Sequence, residues 1–211
     1  MKPLFEAKPK LKIWRPREIL IKIHLDLFAI DSKIQSILVY HPPALTNLEK
    51  LTLVLEDRRF LFHYGIDLKS VLREIIRAVT FRSHGGASTI DMQFVRTCTG
   101  YKERTLTRKL YEMFLAVIIQ FRYSKIEILR SYLTCAYFGS HRRGANAAAQ
   151  IMFGKKADDL SVDEAAFIAA MLVYPRPRDP TEEWTLRVGR RADYGKRIYI
   201  ANKERFDQLP S

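Results

Sequence analysis

From residue 46 onward, the spacing of apolar residues predicts a chain made mainly of α-helices. Three apolar runs begin with a hydroxyl residue that is followed three positions later by glutamate, a pattern in which the two side chains satisfy free amide groups at a helix start. The three pairs are Thr46 with Glu49, Ser124 with Glu127, and Ser161 with Glu164. The pattern therefore predicts three helix starts.

Four more segments have a helical pattern, two of them after a possible capping residue and two by periodicity alone. They are residues 68–79 after Asp67, residues 89–96 after Ser88 and the Gly85–Gly86 pair, residues 108–121, and residues 126–138. The last of these segments continues the start at Ser124, so the pattern predicts six helices, and the fold class is expected to be mainly α.

The amino-terminal segment has a different pattern. Apolar and polar residues alternate between Ile19 and Leu27, which predicts a β-strand; a basic segment on a membrane surface is the alternative. Lys22, His24 and Asp26 interrupt the run, so it lacks the continuous apolar region of a signal peptide. Because no apolar stretch approaches the ~18 residues of a spanning helix, we expect neither a signal peptide nor a transmembrane helix.

Composition narrows the possible partners. The 211 residues are enough for one sizeable domain, and 36 Lys and Arg against 23 Asp and Glu give a net charge of +13. Such a charge favours polyanionic partners, namely nucleic acid, anionic lipid or a diphosphate-bearing substrate. Cys98 and Cys135 are too few for a disulfide scaffold and lack metal-ligand spacing, so they indicate neither fold nor compartment.

The first candidate site is the stretch EDRRFLFHYGID, residues 56–67, which follows the apolar run LTLVL. Glu56 and Asp57 have two interpretations. They form ordinary ion pairs with Arg58 and Arg59 at a solvated helix end, or they supply a carboxylate withdrawn from water that accepts a proton in a reaction. His63 is expected to be packed and hydrogen-bonded rather than a metal ligand.

The second candidate site is the segment VRTCTGYKERTLTRK, whose five cations are Arg96, Lys102, Arg104, Arg108 and Lys109. A loop followed by a helix start favours phosphate binding through guanidinium groups and backbone amides. A solvated basic face is the alternative, and nucleic acid is disfavoured because aromatic residues are not interleaved as stacking platforms. Glu112, one turn after Arg108, is either half of an ordinary ion pair or a second carboxylate of the same cleft.

Taken in order, the motifs resemble those of the bacterial peptidoglycan glycosyltransferases of family 51. They are EDRRFLFHYGID, GGASTIDMQFVR, ERTLTRKLYE, KIEILRSYL with YFG, and GANAAAQIMFGKKADDLSVDEAAFIAA ending in PRPRDP. The resemblance covers about residues 44–180 and implies a lysozyme-like large lobe with a smaller, membrane-facing jaw lobe. Residues 1–43 are then an N-terminal basic segment, a strand or a surface helix, and residues 181–211 a C-terminal helical extension.

The resemblance also implies residue roles. Glu56 matches the general base that takes a proton from the 4-hydroxyl of the acceptor sugar, and Glu112 matches the second catalytic glutamate, near the donor diphosphate. The residues that match substrate-binding positions are Asp57, Gly86, Ser88, Thr89, Gln93, Arg96, Arg104, Arg108 and Lys109. A magnesium or manganese ion is implied as cofactor, although no ligand cluster is visible in the sequence.

The implied reaction is the inverting polymerisation of lipid II, a polyprenyl-diphosphate-linked glycan, by a protein bound peripherally to the outer, periplasmic face of the inner membrane. No nucleic acid partner is implied. Three alternatives remain: a transferase acting on another lipid-linked glycan, a lysozyme-like hydrolase, and a lipid- or glycan-binding protein that has lost catalysis.

Several positions depart from the family pattern while both glutamates are retained. Arg96 replaces a lysine, which keeps the charge but changes the donor geometry. The other departures are Asp91 for threonine, Met92 for glutamine, Tyr111 for a basic residue, Thr134 for asparagine, Arg143 for tyrosine and Asn146 for glutamate. These substitutions are where the site is expected to differ from that of its relatives.

Overall fold

The computed structural model describes residues 15–36, 44–80, 86, 88–139 and 142–208. Residues 1–14 and 37–43 of the predicted N-terminal segment, and Gly85 of the glycine pair, lie outside them. The described residues form α1 (Pro16–Gln35), α2 (Asn47–Glu56), α3 (Leu68–Val79), α4 (Ile90–Thr99), α5 (Leu106–Gln120), α6 (Lys125–Cys135), α7 (Ala145–Phe153), α8 (Val162–Ala170), α9 (Glu182–Ala201) and α10 (Lys203–Asp207). A short antiparallel pair, β1 (Tyr137–Gly139) and β2 (Arg142–Arg143), lies between α6 and α7.

The helix starts confirm most of the capping predictions and the mainly α fold. All three capping boxes are formed, at α2, α6 and α8. Asp67 caps α3, where its carboxylate accepts from the Lys69 amide. The prediction for α4 was wrong by one residue: Thr89, not Ser88, is the cap, and its hydroxyl accepts from the Met92 amide.

The predicted strand between Ile19 and Leu27 was also wrong, because these residues belong to helix α1. The same segment also has a helical periodicity. Ile23, Leu27, Ile30 and Ile34 are spaced by four, three and four positions, and they form the face that packs against the core. A strand would have placed only part of this set on one face.

The core has two groups of packed helices, one around α2 and one around α4. Helix α2 packs against α8 and α9, while α4 packs against α1, α5 and α6. The turn after α2 lies directly on α5, since a Cβ at Gly65 would be 2.4 Å from the Ala116 carbonyl oxygen and the residue has a φ of +73°. This turn therefore fixes the end of α2 relative to α5.

Helix α9 crosses α2 at very close range. A Cβ added at Gly195 would lie 2.8 Å from Cδ2 of Leu55, closer than two carbon atoms can approach without a shift. The glycine thus lets α9 approach the last turn of α2. None of the described helices combines the length and the apolar character needed to cross a bilayer.

Candidate active site

Glu56 is the last residue of α2, and its side chain is only 9% exposed. It lines a cleft of about 350 Å³ together with Gly86 and Ser88, which the sequence predicted as substrate-binding residues. Arg59 and Arg73 also line this cleft. A nearly buried carboxylate thus faces an open cavity whose lining includes both arginines and carboxylates.

Long-range contacts hold both oxygens of the Glu56 carboxylate. Arg191 on α9 donates from Nη2 to Oε1 at 2.8 Å, and Gln93 on α4 donates from Nε2 to Oε2 at 3.3 Å. The Tyr132 hydroxyl in turn donates to the Gln93 amide oxygen at 2.7 Å. Burial, together with the nearby Glu56 charge, raises the pKa of Tyr132, so the phenol stays protonated as a donor.

The interpretation of Glu56 and Asp57 as ordinary pairs with the next two arginines is wrong. Arg58 donates to the Val54 carbonyl and to the Tyr194 hydroxyl, and Arg59 pairs with Asp67. The short sequence separation suggested partners that the folded chain does not use.

Asp57 joins the end of α2 to the start of α4. Its Oδ2 accepts from His63 Nε2 at 3.0 Å and from the Ile90 amide at 3.2 Å. The carboxylate thereby satisfies a free amide at the N-terminus of α4, where negative charge is also favoured by the helix dipole. Asp57 therefore positions its neighbour Glu56 against Gln93.

A buried group of charges lies behind Asp57. Lys125 Nζ donates to both oxygens of Asp91, at 2.9 and 3.2 Å, and lies 3.4 Å from His63 Nδ1. Burial raises the pKa of Asp91 and lowers the pKa of Lys125, and their mutual attraction opposes both effects. Asp91, a departure from the family pattern, is thus compensated by an adjacent ammonium group.

The same group is the one place in the described residues that brings three possible metal ligands together. Asp57, His63 and Asp91 each offer one ligand atom, and these three atoms lie within 4.8 Å of one another. A divalent cation fits poorly here, because the Lys125 ammonium already contacts Asp91 and His63 is bonded to Asp57. His63 is therefore packed and hydrogen-bonded, as the sequence predicted.

Glu112 is fully buried and paired with two arginines. Arg96 donates from Nε and Nη2 to its two oxygens at 3.0 and 3.1 Å, and Arg108 donates to Oε1. The predicted pair with Arg108 therefore exists, but it is not an ordinary surface pair, because the carboxylate is buried and has no contact with solvent. Two guanidinium groups around one carboxylate leave a net positive charge.

Helix α4 connects the two glutamates. Gln93 and Arg96 are one turn apart on it, with Gln93 bonded to Glu56 and Arg96 bonded to Glu112. Arg96 Nη2 also donates to the Ser88 hydroxyl at 3.3 Å, so the Glu112 group reaches the cleft that Glu56 lines. The two candidate sites thus share one helix and one cavity edge.

Three further residues were predicted to bind substrate. Thr89 lines the same cleft as Glu56, and its buried hydroxyl donates to the Gly65 carbonyl at 2.6 Å. Arg104 is exposed in the loop before α5, and Lys109 is half-buried in the first turn of that helix. Among the described residues, neither forms an ion pair with Glu56 or Glu112.

Arg191 is the contact that the sequence analysis missed. It lies 135 positions from Glu56, outside every motif used to recognise the site. The only available signal was a basic stripe on an amphipathic helix, which ordinarily indicates a solvated face.

These features define a mainly α protein in which a positioned carboxylate lies near a second carboxylate that is paired with two arginines. The chain belongs to the transglycosylase family, whose family model matches residues 32–198.

Individual relatives agree with this assignment. The chain is 38% identical over 165 residues to penicillin-binding protein 1A of Escherichia coli, covering 75% of this chain and 19% of that protein. It is 41% identical over 128 residues to penicillin-binding protein 1A of Aquifex aeolicus, covering 59% and 17%. A putative transglycosylase of Cupriavidus necator is 37% identical over 126 residues, covering 60% and 54%. The chain thus spans about a fifth of the penicillin-binding relatives and about half of the third.

Proposed function

We propose that the protein is a peptidoglycan glycosyltransferase that polymerises lipid II. The observation that carries the proposal is the position of Glu56, nearly buried at the end of α2 and open to a cavity whose edge reaches the arginine-paired Glu112. A proton acceptor beside a cationic group is what transfer from a diphosphate-linked sugar to a hydroxyl requires.

In the proposed reaction, Glu56 takes the proton from the 4-hydroxyl of the acceptor sugar. The acceptor oxygen then forms a bond to the anomeric carbon of the donor, with inversion, and the bond from that carbon to the diphosphate oxygen breaks. The leaving diphosphate keeps the electron pair. Gln93 and Asp57 orient the base from α4, and Tyr132 holds the Gln93 amide in the required direction.

Negative charge grows on the diphosphate as it leaves, and we assign its stabilisation to Arg96, Arg104, Arg108 and Lys109. Arg96 and Arg108 are already ordered by Glu112, so they lose little conformational freedom when the substrate binds. Within the described ranges, Arg104 and Lys109 have no such pairing, and they are the proposed mobile contacts. Gly86 and Ser88 leave room for the substrate at the cleft edge.

Family resemblance permits a divalent cation, magnesium or manganese, which would neutralise diphosphate charge when bound. The Asp57, His63 and Asp91 group would hold such an ion poorly, because the Lys125 ammonium already contacts Asp91. The proposed reaction therefore assigns no step to the ion, and the neutralisation of the diphosphate rests on the four cationic side chains.

We further propose that the protein acts at the outer face of the bacterial inner membrane, as a peripheral protein. Two apolar stripes support this, because each presents side chains at helical spacing that are more than 45% exposed. They are Leu68, Leu72 and Ile76 on α3, and Leu106, Leu110 and Phe114 on α5. Together with the net charge of +13, they suit an anionic membrane surface.

A hydrolase of the lysozyme type is the less supported reading. Such an enzyme uses a protonated glutamate as general acid, whereas the Arg191 ion pair suits a glutamate that starts the reaction ionised.

The test is polymerisation of labelled lipid II in the presence of magnesium, with the Glu56→Gln variant beside the parent. We expect polymer from the parent and a rate at least ~100-fold lower from the variant, because the amide keeps the size of the side chain but cannot accept the proton. Circular dichroism and melting temperature are the controls for folding. A folded variant that retains more than about a tenth of the rate would remove Glu56 from the role of base.

A further inference from the structure

A second cleft lies along α9, and one of its lining residues, Arg191, contacts Glu56. This cleft has a volume of about 430 Å³ and is lined by Tyr174, Arg187, Arg190, Arg191 and Tyr194. Arg187 lies three and four positions from Arg190 and Arg191, and both lie within four positions of Tyr194, so the four residues form one face of α9. The sequence motifs did not include these α9 residues.

Positive charge in and beside this cleft exceeds negative charge. Arg58 donates to the Tyr194 hydroxyl at 2.6 Å, and its guanidinium lies 5.5 Å from the centre of that ring. Within the described part of the chain, neither Arg58 nor Arg190 has a carboxylate within ion-pair distance. Arg187 pairs with Glu183, but both side chains are more than half exposed, so water screens that pair.

Arg191 connects this cleft to the base. Its Nη2 bonds both to Glu56 Oε1 and to the Leu55 carbonyl, at 2.8 and 3.0 Å. Its Nε is buried and has no hydrogen-bond partner among the described residues, an arrangement that costs free energy. Arg191 thus links the cleft directly to the Glu56 carboxylate, and its buried Nε is a donor available to a ligand.

We propose that the α9 cleft binds the free carboxylates of the peptide carried by the acceptor glycan. This inference rests on the proposed function, since peptidoglycan precursors join a glycan to a peptide. Guanidinium forks match carboxylates in two-point hydrogen bonds, and the two tyrosines offer flat faces with a polar edge to the sugar and peptide.

The position of the cleft distinguishes this ligand from the diphosphate. Oε1 of Glu56 faces α9, while Oε2 faces Gln93 on α4, the helix that carries Arg96. A hydroxyl placed at Glu56 thus has one cationic group on each side. The diphosphate takes the α4 side, and the peptide carboxylates of the acceptor take the α9 side.

The test is binding of a water-soluble disaccharide–peptide that lacks lipid and diphosphate, followed by calorimetry or by chemical shifts of the full chain. We expect Arg190→Gln to weaken binding about tenfold, as loss of a charge-assisted hydrogen bond does. Amidation of the peptide carboxylates should weaken binding to the parent at least as much, and it should weaken binding to the variant less than it weakens binding to the parent. Arg197→Gln, an exposed change on the same helix outside the cleft, is the matched control and should bind as the parent does.

Two outcomes would overturn the proposal. In the first, the Arg190→Gln variant binds the unmodified ligand, or the parent binds the amidated ligand, as tightly as the parent binds the unmodified ligand. In the second, Arg190→Gln leaves disaccharide–peptide binding intact but weakens binding to vesicles of anionic lipid, so that a headgroup is the occupant.

These measurements need no turnover, so they separate this inference from the assignment of the reaction. With active enzyme, Arg190→Gln should raise KM for lipid II, and it should have no effect when the peptide carboxylates are amidated. An inactive parent that still binds the disaccharide–peptide through Arg190 would refute the proposed function alone.

Discussion

Tyr111 stands where the family pattern has a cation, and its surroundings explain the exchange. Its hydroxyl donates to Asp26 Oδ2 at 2.8 Å, and the Tyr101 hydroxyl donates to the same carboxylate. Burial and the Asp26 charge raise the pKa of both tyrosines, so both remain neutral donors. Tyr111, which replaces the cation of the family pattern, is thus part of the contact between α1 and α5.

Three of the four other departures have a defined place in the fold. Met92 is fully buried in the core, and the Asn146 side chain accepts from the Ala157 amide at 2.8 Å. The Thr134 hydroxyl donates to the Ser131 carbonyl, while Arg143 is exposed. Nothing in the structure explains why arginine replaces tyrosine at position 143.

Arg104 gives a direct test of the diphosphate assignment. If it contacts the diphosphate, Arg104→Ala should lower kcat/KM for lipid II by roughly 10- to 100-fold, the usual effect of losing a charge-assisted hydrogen bond. Because Arg104 is exposed, the melting temperature should not change. Arg197→Ala removes an equally exposed guanidinium elsewhere and should leave the rate unaltered. Equal rates for the two variants would place the diphosphate elsewhere.

At the scale of helices, local signals were predictable and long-range ones were not. The capping box at Thr46 depends on residues three positions apart, and short-range patterns of this kind were confirmed at three helices. The contact of Glu56 with Arg191, and that of Asp91 with Lys125, join distant segments. No periodicity encodes such pairs, because the packing of whole helices brings them together.

The α1 error has a related cause. Its alternating residues fit a strand as well as a helix until the partner surface is known. Only contact with α4 and α6 shows that residues spaced by three and four positions face the core.

Helix α3 is expected to depend on the ionisation of Asp67, its N-terminal cap. Burial acts to raise the pKa of Asp67, but bonds from Ser70 and Lys69 and the charge of Arg59 outweigh it, so the pKa lies below its ordinary value. A depressed pKa means that the stabilisation is present above the unfolded-state pKa of about 4 and is lost as the pH falls through the folded-state pKa.

Asp67→Asn should therefore lower the free energy of unfolding by about 1–2 kcal/mol at pH 7, and the difference from the parent should shrink below about pH 4. Urea unfolding at a series of pH values measures this. Asp158→Asn, at an exposed carboxylate, serves as the control. A constant difference across the series would show that ionisation of Asp67 does not stabilise the fold.

At the scale of the whole molecule, the surface combines charge with apolar stripes. The sequence predicted membrane association driven by the charge of +13. Sequence alone did not reveal that α3 and α5 each leave a row of apolar side chains exposed, since the same spacing usually marks a buried face.

We therefore expect binding to anionic vesicles to weaken with salt but to persist in part at ~1 M, where the Debye length is only about 3 Å. Leu110→Ser should reduce the salt-resistant part, measured by vesicle sedimentation. Ile200→Ser, an exposed apolar change on α9, should not reduce it. Complete release of the parent by salt would mean that the apolar stripes do not enter the membrane.

The close crossing of α2 and α9 has a consequence for which substitutions the protein can accept. Alanine favours the helix over glycine by about 1 kcal/mol, so helix propensity alone would rank Gly195→Ala among the stabilising substitutions. The new methyl group would press on Leu55, the residue before Glu56, and shift the base away from Arg191. We expect Gly195→Ala to slow turnover at an unchanged or higher melting temperature, whereas Gly189→Ala, with open space around its Cβ, should raise the melting temperature at full rate. Selection for thermal robustness and selection for speed would then favour different residues at position 195.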